Sequence, residues 1–505
     1  MNRKIGVILS YIAMVFEVLS TLLLTPFIIR DLGEAEYGVY KLSASIVAYL
    51  LLLDLGVGNA VIRYAAKFRA NNDEASVCKF LGITTIYYLI IGIIVILLGV
   101  GLVALFPYLF NKGLTIEETI LGQKLLVIAI VNAGITLSTA GYANIIIAYE
   151  KFALSKGISI FSIIIKIVLT FILLKLGMGS MGIMLVQLLI TIFARAIYIL
   201  YVFVALKLKP VFKGVNRSFI KEVFGYSSLI LLQMIATQIN ASLDQILIGA
   251  LVGGAAAIIG IYSIGIQIIQ YFQSIGSAFT GVLMPGVVKM VEKEATPNEL
   301  CAEMIRIGRI IFMGLGLIFV VFSVFGKQFI ILWAGSGYED AFLVTILLML
   351  PHLFIITESI GSQILWARNQ HKEQAMLKIL IVLFNIFATI LLIYWKPLLG
   401  ATIGTMLSLL FGDIIVMNII FKKKIKISLG EYYRGLFKGI VPCLLITWIF
   451  GKIFSLIGLN GWVGWIVNVA VMVVAYATCM LVFGLNKYEK SLIFSIFNKV
   501  FKRGE

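Results

Sequence analysis

The chain is a succession of apolar stretches, each long enough to cross a bilayer, with little sequence between them. A spanning helix needs roughly 20 mostly apolar residues at about 1.5 Å rise each, and residues 81–106, 231–251 and 310–325 show the pattern. Hydropathy predicts about 14 spans, near 6–30, 38–62, 80–106, 124–149, 157–176, 180–206, 225–250, 256–284, 303–326, 341–366, 375–395, 398–421, 436–458 and 462–485. At 61% hydrophobic and 13% charged, the chain is far from the roughly 45–50% apolar and 25% charged usage of soluble domains. A soluble core is excluded. The expected fold class is an all-α polytopic membrane protein.

A formal net charge of +17 would suit nucleic acid if it formed a patch, so its placement decides its meaning. With the N-terminus in the cytoplasm, about 31 Lys and Arg fall in inner segments and about 8 in outer ones, a strong positive-inside bias. It implies an even number of spans, both termini inside, and no nucleic-acid partner. The first apolar stretch is longer than a signal h-region and no small-x-small site follows it, so it is expected to stay as span 1. Cys78, Cys301, Cys443 and Cys479 lie far apart in sequence. None forms a CxxC or joins His352 or His371 at ligand spacing, so no metal, disulfide or cofactor is expected.

Connections are short, and the longest outer loop, residues 107–123, leaves no room for an extramembrane catalytic domain. Lys-rich segments at 207–224, 285–302 and 422–435, with Pro210, Pro297 and Gly430, interrupt the hydrophobic rhythm. They divide the chain into a six-span lobe at 1–206, a six-span lobe at 207–421, a two-span unit at 422–486 and a basic amphipathic tail at 487–505. In the tail, Leu492, Ile493, Ile496, Phe497, Val500 and Phe501 stand against Lys490, Lys499, Lys502 and Arg503, as in a helix lying on an anionic inner membrane surface. The lobes share short matches. Gly38-Val39-Tyr40 corresponds to Gly260-Ile261-Tyr262, and the run ending at Ala148 to the run ending at Ala367, each about 220 residues apart. Two parallel repeats related by an axis along the membrane normal place a central substrate cavity between them.

Span 1 ends Thr25-Pro26-Phe27-Ile28-Ile29-Arg30-Asp31-Leu32-Gly33, followed by Tyr37-Gly38-Val39-Tyr40. Span 2 closes Leu53-Asp54-Leu55-Gly56-Val57-Gly58, with Arg63 just beyond. These residues resemble the polysaccharide transporter family, the oligosaccharide flippases of O-antigen and capsule repeat units, within the superfamily that also holds multidrug and toxin extrusion transporters and lipid II flippases. Segments 217–227 and 361–371 resemble it as well, while spans 13 and 14 go beyond the twelve spans of many O-antigen members. The resemblance implies two six-helix lobes around a cleft lined by spans 1, 2, 7 and 8. It also implies transfer of polyprenyl-diphosphate-linked oligosaccharide to the outer leaflet by alternating access.

The polar residues can be set beside that implication. Span 7 carries Gln233, Thr237, Asn240 and Asp244 on one helical face; span 8 carries Ser263, Gln267, Gln270, Ser274 and Ser277; span 1 carries Ser10, Glu17, Ser20, Thr21 and Thr25. Such stripes face either protein, as packing glue, or a watery cavity. Taken together, those of spans 7 and 8 favour a cavity, with Gln233, Asn240, Gln270 and Ser274 expected to touch substrate.

Charges within spans are the sharper signal, because each costs roughly 2.5–3.5 kcal/mol at a helix centre. Lys166 in span 5 and Arg195 in span 6 are candidates to hold a diphosphate, Arg bidentately and Lys as a point charge; Arg63 at the inner mouth would take the headgroup first. The alternatives are a structural network of Lys166 and Arg195 with Glu17 or Asp54, and Arg63 as an ordinary positive-inside anchor. Glu17, then Asp244, then Asp54 are candidate carboxyls for an H+ or Na+ coupling ion, although Asp54 reads equally as a partner of helix-end groups. Glu358 and Asp413 read as anchors or salt-bridge partners. Pro26, Pro285, Pro351 and Pro442 are expected to terminate helices, and Gly56, Gly58, Gly276 and Gly281 to permit bending or close packing.

The sequence therefore reads as a non-enzymatic flippase in a bacterial or archaeal cytoplasmic membrane, working as a monomer on lipid-linked oligosaccharide among membrane lipids. A cation-coupled drug or metabolite exporter of the same superfamily is one alternative, and a membrane-bound polymerase or glycosyltransferase is another. In a background without the native cysteines, a cysteine at position 336 should react with an impermeant maleimide from outside, and one at 214 only after permeabilisation. The opposite labelling pattern would overturn the topology.

Overall fold

The computed structural model describes residues 3–212, 234–235, 237–240, 242–368, 370 and 372–491. Gln233, the 217–227 segment, His371 and the tail from 492 onward lie outside the described residues. Among the described residues the chain is helical with no strand. Successive helices are α1 (Arg3–Leu50), α2 (Val57–Ala70), α3 (Glu74–Leu109), α4 (Ile116–Ser138), α5 (Ala140–Ala148), α6 (Phe152–Lys175), α7 (Gly179–Val204), α8 (Ser242–Leu251) and α9 (Ala255–Glu292). They continue as α10 (Pro297–Trp333), α11 (Ala341–Thr357), α12 (Ser359–Ala367), α13 (Lys372–Ile393), α14 (Pro397–Ser408), α15 (Met417–Lys424), α16 (Leu429–Phe437), α17 (Ile440–Phe454) and α18 (Gly461–Cys479).

Among the described residues, 11 helical runs are long and apolar enough to cross a membrane, or 12 if α11 and α12, bent by 42°, count as one span. The expected count of about 14 is not reached among the described residues, because spans 1 and 2 join into the 59-residue run Ile12–Ala70 and the first part of span 7 lies outside the described residues, leaving only the short apolar helix Ser242–Leu251 there. A straight helix of that length would be far longer than the roughly 30 Å hydrocarbon core. The run is not straight. Gly33 breaks α1 with φ 72°, a conformation open to glycine, and a 3-10 turn at Leu51–Asp54 separates α1 from α2. Pro26 and Pro351 lie inside α1 and α11 rather than ending them.

Several helix starts follow local chemistry. Thr115 with Glu118 and Thr296 with Glu299 form capping boxes, the second with Pro297 in the first turn. Glu36, just after the Gly33 break, accepts the Ser180 amide at 2.7 Å and so caps α7 from a distant part of the chain.

The chain divides into two compact units. The first is Met1–Ser263 with Val382–Gly404, the second Ile264–Ile381 with Thr405–Glu505. In the first, α3 packs along α4, and α1 along α4 and α6. The two glycines of the repeated Gly-x-Tyr sequence meet here. A Cβ on Gly38 would lie 1.7 Å from the Ala256 carbonyl oxygen and 3.0 Å from the Gly260 amide, and one on Gly260 would lie 2.5 Å from the Glu34 carbonyl oxygen. The repeat visible in sequence is thus a contact in space, with two backbones touching where neither tolerates a side chain.

In the second unit, α10 packs against α11, α16, α17 and α18. Arg309 of α10, 4% exposed, is its central tie. Its Nε and Nη2 donate to the Glu489 carboxylate at 2.5 and 3.0 Å, Nη1 to the carbonyls of Gly435 and Lys438 at 2.9 and 2.7 Å, and Nη2 also to the Gly484 carbonyl at 3.0 Å. All five guanidinium protons have an acceptor. The same unit holds a Lys378–Asp413 ion pair. Cys443 and Cys479, separated in sequence, come together, with the Cys443 thiol donating to the Cys479 carbonyl at 3.4 Å. At Gly276 the close-packing role applies, since a Cβ would lie 2.6 Å from Ile356.

Overpacking a close contact costs about 1–3 kcal/mol. Gly38→Val and Gly260→Val should each lower the melting temperature of the purified protein by several degrees, whereas Gly101→Val, at a position with open space around it, should not. Equal melting of all three variants would contradict the contact.

Candidate functional site

Asp244, on α8, is 2% exposed. The Tyr262 hydroxyl of α9 donates to its Oδ2, and the Thr389 hydroxyl of α13 lies 3.3 Å from its Oδ1. Thr389 also lies 3.0 Å from Asn385 Oδ1, one turn earlier, and Asn385 Nδ2 donates to Asn240 Oδ1 at 3.1 Å. Asn385 and Thr389 are both fully buried. A hydroxyl has one proton, so Thr389 serves either Asn385 or Asp244 at a given moment, while a carboxylate, with about four lone-pair sites, accepts several partners at once.

Two neighbours strengthen this reading. The Tyr49 hydroxyl is buried with no hydrogen-bond partner and lies within Coulombic reach of Asp244. Gly404 of α14 leaves room for Thr389, since a Cβ there would lie 2.6 Å from the Thr389 hydroxyl. Gly400 and Gly404, four residues apart, form a small-residue seam that brings α14 onto α13. Asp244, Asn240, Asn385, Thr389 and Tyr49 therefore offer carboxylate, amide and hydroxyl oxygens suited to a hard cation. A second chain of polar contacts runs beside it: Ser45 to Gln245, and Gln245 Nε2 to Ser263 at 2.9 Å.

The other expected site residues are distributed differently. Lys166 on α6 lies within Coulombic reach of Glu17 on α1 and of Lys41 on the same long helix. Lys41 stands over the rings of Tyr37 and Tyr40, 5.3 and 5.9 Å from their centroids. Arg195 on α7 lies 6.0 Å from the Tyr198 ring, so Lys166 and Arg195 are held by different neighbours. Arg63 is exposed and stands over Tyr64 at 5.9 Å. Asp54 takes the helix-end role: it accepts the Gly58 amide at the start of α2 at 3.3 Å and the Tyr88 hydroxyl at 2.7 Å.

Gln270 is exposed, and the half-buried Ser274 donates to its carbonyl at 2.8 Å. Glu17 is exposed, while the hydroxyls of Ser20 and Thr21 turn back to its carbonyl. Sequence reasoning missed Tyr262, Asn385, Thr389 and Lys41. Tyr262 belongs to the repeated Gly-x-Tyr, and Asn385 and Thr389 are spaced four apart in an otherwise apolar span, so a weak signal was present. A groove of about 850 Å³ lined by Arg69, Asn72, Asp73, Glu74 and Tyr149 contains none of the expected residues, and because it lies open to the surface it is a poor match to the buried chemistry above.

The described residues form a bundle of apolar helices, 11 or 12 of them long and apolar enough to cross a membrane, that carries buried carboxyls, amides and cations. The family described as polysaccharide biosynthesis protein matches residues 5–291, and the chain belongs to that family. No curated protein matches by sequence. Among solved structures, the lipid II flippase MurJ in an inward closed conformation aligns with TM-score 0.72 and 16% identity, over 97% of this chain and 99% of that one. An inward-facing multidrug resistance MATE family transporter aligns with TM-score 0.62 and 15% identity, over 82% and 95%. A mutant form of the Vibrio cholerae MATE transporter VcmN aligns with TM-score 0.59 and 16% identity, over 85% and 98%. At these identities the likeness is one of fold.

Hydrogen bonds to a charged group contribute about 1.5–3 kcal/mol. Tyr262→Phe and Thr389→Val should each destabilise the protein, and each effect should shrink sharply in an Asp244→Asn background. Strictly additive melting shifts in these double-mutant cycles would show that the three side chains do not act as one site.

Proposed function

We propose that this protein moves a polyprenyl-diphosphate-linked oligosaccharide to the outer leaflet of a bacterial or archaeal cytoplasmic membrane by alternating access. The observation that carries the reading is the near full-length likeness in fold to a lipid II flippase, in a chain of the polysaccharide biosynthesis family. The exporter structures align over less of the chain, which ranks a cation-coupled drug or metabolite exporter second.

The moving parts are read as the six-span lobes 1–206 and 207–421, with 422–486 as an added pair and both termini in the cytoplasm. The protein acts as a monomer. The diphosphate meets Lys166 and Arg195, with Arg63 at the inner mouth and Gln233, Asn240, Gln270 and Ser274 toward the sugar. Lys41 extends the cationic set, because it acts on Lys166. Asp244 takes the coupling ion, H+ or Na+. Its burial among hydroxyls and amides supports it over Glu17, which is exposed, and over Asp54, which is engaged at a helix start.

Arg195→Glu and Lys166→Glu should each abolish outward transfer of labelled lipid-linked oligosaccharide while the protein still inserts, because reversal turns attraction into repulsion at reduced dielectric. Arg195→Lys should retain part of the activity, keeping the charge but losing the planar fork. If Lys166 only balances Glu17, its reversal should instead lower the amount of folded protein, and reversal of both partners should restore it. Transfer and protein level measured in the same membranes separate these outcomes, and normal transfer by both well-folded reversals would remove the role.

A further inference from the structure

His352 on α11 places Nδ1 2.8 Å from the Leu348 carbonyl. A carbonyl only accepts, so this geometry assigns the ring proton to Nδ1 and leaves Nε2 to take one. Helix α11 packs against the stretch Leu409–Val416 that holds Asp413, and the charged groups within Coulombic reach of the ring are Asp413 and Lys378, themselves ion-paired. Asp413 lies within a π-helical stretch, Leu409–Val416, that interrupts the span from Pro397 to Lys424; such stretches are frequent at functional sites. Beside it, Gly412 lets α13 approach so closely that a Cβ would lie 1.9 Å from Ile381. Lys378, one turn before Ile381, is thereby carried onto Asp413.

The other elements packed around α11 have their charges engaged elsewhere. On α10, Arg309 is paired with Glu489, Arg306 with Glu303 and Lys327 with Glu339. On the bend between α11 and α12, Glu358 accepts the Tyr433 hydroxyl at 2.6 Å and the Asn418 amide at 2.8 Å. Helix α9, which meets α11 where Gly265 faces Val344 and Gly276 faces Ile356, carries no charged residue between Ser263 and Lys289.

We infer that His352, Asp413 and Lys378 form a proton-binding site, in which an imidazolium at His352 competes with the Lys378 ammonium for the Asp413 carboxylate. With His352 neutral, the ammonium and carboxylate balance. A proton taken from water onto Nε2 leaves two cations on one anion, an imbalance that matters more in a medium of reduced dielectric than in water. The carboxylate is then shared between α11 and α13, so proton binding loosens the tie that holds α13 to the π-helical stretch.

The test uses the full chain. His371→Gln leaves His352 as the single imidazole, because the sequence contains 2 His, and its labelled ring is followed by NMR across pH in lipid nanodiscs. The ring should titrate reversibly within the pH range over which the protein stays folded. Lys378→Met should raise the midpoint by about one pH unit, tenfold in proton affinity, by removing the competing cation, and Asp413→Asn should lower it by a similar amount. Lys378→Arg, which keeps the charge, should leave it in place, so the Lys378 pair decides even if Asp413→Asn does not fold. A ring that does not titrate, or a midpoint indifferent to Lys378→Met, overturns the site. In proteoliposomes, His352→Gln should remove the acid limb of the transfer–pH profile. Absence of transfer by the unmodified protein would count against the flippase reading and leave the titration result standing.

Discussion

Hydrocarbon offers no water to a polar group, so every carboxyl, amide and cation placed inside a span must find its partner within the protein or face a wet cavity. The buried acids of this chain meet that demand in different ways. Asp413 is matched by an ammonium, Glu489 by a guanidinium, Glu358 by a phenol and an amide, and Asp244 by two hydroxyls. These choices are not equivalent. A full positive charge neutralises a carboxylate and ties helices together, whereas hydroxyl and amide donors satisfy its lone pairs and leave its charge to the wider surroundings.

The cations of the first unit divide along the same line. Lys166 feels an acid and a second lysine at once, so its charge is only partly offset. Arg195 beside Tyr198 and Lys41 over two tyrosine rings each gain from the negative face of an aromatic ring. An aromatic face steadies a cation without consuming the in-plane donors of a guanidinium, which leaves those donors suited to phosphate oxygens.

The fold class was legible because apolar runs of spanning length dominate the sequence, and the short match between Gly38 and Gly260 marks two positions that must both lack a side chain where they meet. Helix boundaries were less so. The break at Gly33 and the 3-10 turn at Leu51–Asp54 lie in stretches whose apolar character continues without pause. Pro26 and Pro351 sit inside helices because side-chain packing within a bundle tolerates the lost backbone bond. Helix α16 runs into the start of span 13 in the sequence for the same reason as the break at Gly33. At the site, the carboxyls stood out in sequence, but their partners did not. Asn385 and Thr389 look like ordinary polar punctuation in span 11 until α8 is laid beside them, and Lys41 reads as an outer anchor until Tyr37 and Tyr40 enclose it. Partner identity depends on which helices become neighbours, a property that residue spacing within one helix does not carry.

Arg309 and Glu489 are 180 residues apart, and this separation has a consequence for biogenesis. A ribosome adding about 5–20 residues per second delivers the arginine well before its carboxylate exists, and the carbonyls of Gly435, Lys438 and Gly484 also arrive later. For that interval the guanidinium has none of these acceptors. Burial of Arg309 therefore has to wait until α17, α18 and Glu489 have been made, and a chain truncated before Glu489 would leave the guanidinium without its carboxylate.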